Sequence, residues 1–109
     1  MWRASPSTST ATPIEALSRR LLQSQPDNVP VQRDLARGLL FASTVHTSLA
    51  SRSAAAPDVR SAHRQRAVAS YEEGQRLMAR LQERGRLSGE DSVLLAQTRT
   101  TLAATPSRP

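Results

Sequence analysis

The chain has 109 residues, room for one domain and not two, and its 21 Leu, Ile, Val and Phe residues supply a thin core that invites completion by a partner, a second copy or further chain. There is no cysteine, which excludes a disulfide framework, a thiolate nucleophile and a Cys-based zinc site. The net charge is +6 and all 15 basic residues are arginine, a uniform choice expected of GC-rich bacterial coding, and a balance that permits contact with acidic partners.

Residues 1–11 are polar, rich in Ser and Thr and broken by Pro6, so a disordered tail is expected there, with Trp2 unburied. The stretch lacks the apolar segment of a secretory signal. No run approaches the ~18 apolar residues of a membrane span, and the expected location is the cytoplasm. Thr12, Pro13 and Glu15 have the spacing of a capping box with proline in the first helical position. Ile14, Leu17 and Leu21 follow as a helical stripe, with Leu22 beside it, and Pro26 ends the helix. Asp27 or Asn28 caps a second helix, with Pro30 in its first turn. Its predicted apolar stripe is Val31, Leu35, Leu39, Ala42, Val45 and Leu49, widened by Leu40 and Phe41. Residues 51–57 form a linker ended by Pro57.

Asp58 can cap a third helix of about 25 residues, whose stripe is Val59, Ala62, Ala67, Tyr71, Gly74, Met78 and Leu81. Gly85 stands where a left-handed residue closes a helix. Ser88 opens the fourth helix, with Glu90 and Asp91 favourably placed in its first turn and Val93, Leu94, Leu95, Thr98 and Leu102 as its buried side. Residues 105–109 make a second tail. The expected fold is therefore all-α: four helices over residues 12–104, in two antiparallel hairpins packed on one another.

The chemistry-bearing residues do not assemble into a catalytic pattern. His46 and His63 are 17 residues apart, neither opens an HxxxH or HExxH spacing, and zinc needs three or four converging ligands, so both read as core-edge or surface histidines. The adjacent acids Glu72 and Glu73 point about 100° apart on a helix and cannot converge on one substrate atom. No GxSxG elbow, SxxK motif or glycine-rich phosphate loop is present. The sequence thus predicts no enzyme, no cofactor and no metal. Arg76, Arg80 and Arg84 repeat every four residues and stack on one face of the third helix. A solvated face is the plain reading. An acidic protein partner is the functional one, and nucleic acid is less expected because no aromatic stacking residues accompany the strip.

Two stretches resemble tetratricopeptide repeats, in particular the diverged, long-helix forms attached to bacterial serine/threonine kinases. Gln25-Pro26-Asp27-Asn28, followed by Leu35-Ala36 and Leu39, resembles the boundary between repeats. Ala67, Tyr71 and Gly74 have the small, aromatic, small spacing of a second repeat helix. The resemblance spans residues 14–84, and it departs from the family in lacking first-helix aromatics and in ending on Gly85 instead of proline. It implies a protein–protein interaction module, alone or as the terminal part of a longer array, with Arg33 and Arg37 on the inner face of the second helix as anion contacts. The alternatives are a self-associating structural bundle and an arginine-rich accessory protein for nucleic acid.

Overall fold

The computed structural model describes residues 13–52 and 56–104. Among them are four helices and no strand: α1 (Pro13–Ser24), α2 (Val29–Ala50), α3 (Pro57–Glu83) and α4 (Gly89–Ala104). The all-α expectation holds. The Thr12 cap, Trp2 and both tails lie outside the described residues.

Local chemistry sets most helix ends. The Asn28 side chain accepts a 3.1 Å hydrogen bond from the Val31 N–H, so Asn28 and not Asp27 caps α2. The third helix departs from expectation at its start. Pro57, with its fixed φ and no N–H to leave unsatisfied, takes the first helical position, which puts Asp58 inside the first turn. Its carboxylate accepts the neighbouring Val59 N–H at 3.0 Å. At the other end Gly85 has φ +68°, Arg86 N–H reaches back to Leu81 O at 2.8 Å, and Gly85 N–H reaches Gln82 O at 2.9 Å. Together these bonds make a Schellman closure. An added Cβ at Gly85 would touch nothing within 4 Å, so Gly85→Ala costs only backbone strain. The expected loss is about 1 kcal/mol in a thermal melt.

The long hairpin of α2 and α3 is the centre of the molecule. Its antiparallel register is fixed by three pairings running in opposite order: His46 with His63, Ser43 with Ala67, and Asp27 with Arg84. Leu35, Ala36, Leu39 and Leu40 from α2 pack on Tyr71, Leu77, Met78 and Leu81 from α3. α4 lies against both helices, and α1 packs along α2. The Cα envelope is a slab of 44 × 43 × 14 Å. Only about two helix layers fit across 14 Å, given a helix radius of about 2.3 Å and interaxial distances of about 9 Å. So thin a body buries few large side chains.

The predicted stripes are correct in period and partly wrong in direction. On α2 the buried face includes Gln32, Ser43 and Thr47, while Phe41 and Val45 face outward. Ser43 donates to Ala67 O and Thr47 to Ser43 O, both at 2.8 Å, so these hydroxyls enter the helix interface without an unpaired group. Their small size lets α3 come close. On α1 the inward residues are Glu15, Ser18 and the half-buried Leu22, and Leu17 and Leu21 are exposed. On α4, Val93 is exposed while Asp91 and Thr98 are buried.

Candidate functional site

The most enclosed charged group among the described residues is the Asp91 carboxylate, with no solvent exposure. Local and tertiary interactions converge on it. Ser88 Oγ accepts the Asp91 N–H at 3.0 Å and the Ser88 N–H donates back to Asp91 Oδ2 at 3.2 Å, a reciprocal capping box. Two guanidiniums one helical turn apart on α2 then close on it: Arg33 Nε to Oδ2 at 2.9 Å, and Arg37 Nε to Oδ1 at 2.8 Å. Arg33 also donates to the Arg86 carbonyl. Burial pushes the Asp91 pKa up, but the hydrogen bonds from Arg33, Arg37 and Ser88 outweigh it and bring it down to about 2. A carboxylate so enclosed and so firmly ionised is an anchor joining the start of α4 to α2.

This anchor changes the place of two residues. The sequence offers Arg33 and Arg37 to a partner's anion, whereas the structure gives both to Asp91. Arg84 likewise leaves the proposed strip. At the end of α3 it meets the turn between α1 and α2 and pairs with Asp27. Arg76 and Arg80 stay exposed on α3 and make no ion pair among the described residues. A fourth cation, Arg19, forks onto both oxygens of Glu73 and bridges α1 to α3. Beside it burial raises the Glu15 carboxyl above its ordinary range, against the pull of Arg19.

Exposed valines stand on α3 (Val59) and α4 (Val93), but the bulkier exposed apolar side chains lie on α1 and α2. Phe41 is 69% exposed and Leu17 57%, with Val45 and Leu21 each one turn further along their helices. These are large side chains on two helices packed together, and Phe41 is the chain's one phenylalanine. Amphipathic periodicity normally marks the buried side of a helix. On α1 it marks the open side, because Glu15 and Ser18 turn toward α2, where Glu15 lies against Gly38.

His46 and His63, distant in sequence, meet across the α2–α3 hairpin with their Nδ1 atoms 3.0 Å apart. Among the described residues no group of three or more His, Asp and Glu is placed to hold a metal ion. No helix among them is long and apolar enough to cross a membrane. Sequence reasoning missed the histidine pair because only the hairpin register brings the rings together. It had a signal for Asp91 in the Ser88-x-x-Asp91 spacing, but none for the two arginines that complete the site. Comparison with protein-family models, curated proteins and solved structures finds no match for this chain.

Proposed function

We propose that this chain is a non-catalytic helical module that binds a protein partner through exposed apolar side chains of α1 and α2. The observation that carries the reading is the exposed apolar set Leu17, Leu21, Phe41 and Val45 on a slab too thin to enclose it. Large apolar side chains left in water on neighbouring helices offer a partner area to bury. The partner's matching feature is an apolar strip, such as one side of an amphipathic helix. Arg76 and Arg80 remain available for acidic groups on the same partner or on another. The tetratricopeptide-like spacing of Ala67, Tyr71 and Gly74 supports the same reading, since open helix faces are how such repeats receive neighbours and ligands.

A second reading is favoured by the slab itself: a second copy docking on the same face would double the thickness over which side chains are buried.

A photo-crosslinking residue placed in turn at positions 17, 41 and 76, in the cell that makes the protein, tests both. Discrete protein adducts at 17 and 41 are the expected result, and an adduct of twice the chain's mass identifies self-association. Nucleic-acid adducts at 76 with none at 17 or 41 would replace the proposal with the arginine-strip reading. Phe41→Glu is expected to abolish the adduct at 17 while changing folding stability by no more than about 0.5 kcal/mol, because the side chain is already in water.

A further inference from the structure

His46 on α2 and His63 on α3 approach edge to edge. Their Nδ1 atoms are 3.0 Å apart while the ring centroids are 5.2 Å apart, with the planes inclined by 27°. The centroid separation exceeds the nitrogen separation by about the sum of the two ring radii. That is possible only when both nitrogens lie close to the line joining the rings. Nitrogens so aimed share one proton: one ring donates Nδ1–H and the other accepts with its lone pair. They are poorly aimed at a common metal ion, which needs both lone pairs to converge from the side, and no third ligand stands by among the described residues.

We propose that the two histidines are an acid-released latch on the loop end of the α2–α3 hairpin, closed by one shared proton and opened by a second. While one Nδ1 keeps its lone pair the bond persists, whatever the state of the outer nitrogens. With both rings cationic each Nδ1 carries a hydrogen, neither accepts, and two like charges face each other at contact distance.

Among the described residues no acid forms an ion pair with either ring. From α3, Arg66 acts on His46, and Arg60 and Arg64 flank His63 along the helix. The nearest acid in sequence, Asp58, is exposed in the first turn, where it accepts the Val59 N–H. α2 carries no charged residue between Arg37 and Arg52. α4 brings Glu90, Asp91 and Arg99. Asp91 is held at the far end of α2, and Arg99 donates to the Tyr71 hydroxyl. α1 brings Glu15 beside Gly38, Arg19 on Glu73, and exposed Arg20.

The His46 pKa is lowered by burial, then by the charges of His63 and Arg66. The sign follows from linkage. Below the ordinary histidine range the unfolded or opened end binds protons that the closed end resists, so closure weakens as pH falls and is unaffected above that range. The Glu15 shift has the opposite sign, and Asp91 titrates far lower. A loss between pH 7 and 5 therefore belongs to the pair.

Ring titration by NMR, with amide exchange corrected for its intrinsic pH dependence, tests the latch on the whole chain. In the wild type His46 is expected to titrate below the ordinary range. Amides of residues 45–50 and 59–65 should open more often by about tenfold for each unit of depression. In His63→Gln the His46 ring should move back toward the ordinary value and the acid-induced opening should shrink. A His46 titration indifferent to His63→Gln would overturn the proposal. So would wild-type protection that stays flat from pH 7 to 5, a result that needs no variant to fold.

Discussion

Asp91→Asn is expected to destabilise the protein by about 3 kcal/mol, the low end for breaking a buried ion pair, because both arginine partners retain some contact with water. The substitution keeps the volume, removes the charge and turns one acceptor into a donor aimed at a guanidinium. A domain of this size should lose more than about 10 °C in Tm. The same group gives the wild type an acid-sensitive step. Its folded pKa is about 2, against an ordinary aspartate value of 3.8. The contribution is thus fully present above pH ~4 and is lost as pH falls toward 2, amounting to about 2 kcal/mol. In Asp91→Asn that step should vanish, leaving a flatter profile between pH 4 and 2. A variant melting within a few degrees of wild type, with the acid step intact, would show that the anchor contributes little. Circular-dichroism melts at pH 7, 4 and 2.5 distinguish the cases.

The second large effect is expected where α2 and α3 come closest. A Cβ added at Gly74 would stand 3.0 Å from Leu40 Cδ2, 3.2 Å from Leu40 Cγ and 3.3 Å from the Ala36 carbonyl. Leu40 has no exposure and no free space to turn into, and the Ala36 oxygen is backbone. Gly74→Ala should therefore lose about 1–2 kcal/mol to overpacking, although alanine is the better helix former. Leu40→Ala should cost about 3 kcal/mol, since it empties a fully buried site. The two losses should not add. With Leu40 truncated, the new methyl at 74 enters the space the leucine left, and the double variant should be no less stable than Leu40→Ala alone. A double-mutant cycle by urea denaturation reads the coupling directly. Strict additivity would mean that α2 and α3 separate to relieve the contact.

Helix existence and helix ends were legible because they rest on neighbours in sequence. Asn28, Gly85 and Ser88 act within a turn of where they stand, through a cap bond, a permitted positive φ and a hydroxyl aimed at an N–H, whereas Pro57, read as the end of a linker, opens α3 in place of a cap at Asp58. A close neighbour for α3 was legible in the small residues Ala67 and Gly74, but that α2 is this neighbour, and in which register, comes from the structure. Which side of each helix turns inward was not legible. The apolar period of α1 gives the angle between Leu17 and Leu21 but not the direction in which they face, and the structure points them at solvent.

The sequence by itself therefore determined an all-helical chain with its punctuation in place, and a core limited by its supply of large apolar residues. Tertiary structure alone decided which charges stay available and which groups meet. Arg33 and Arg37 read as surface cations until α4 delivers Asp91 between them. His46 and His63 are separate histidines until the hairpin register brings them within 3.0 Å. The physical reason is range: caps and turns act over a few residues of chain, whereas ion pairs and ring contacts depend on how whole helices slide and rotate against each other, which no local window of sequence encodes.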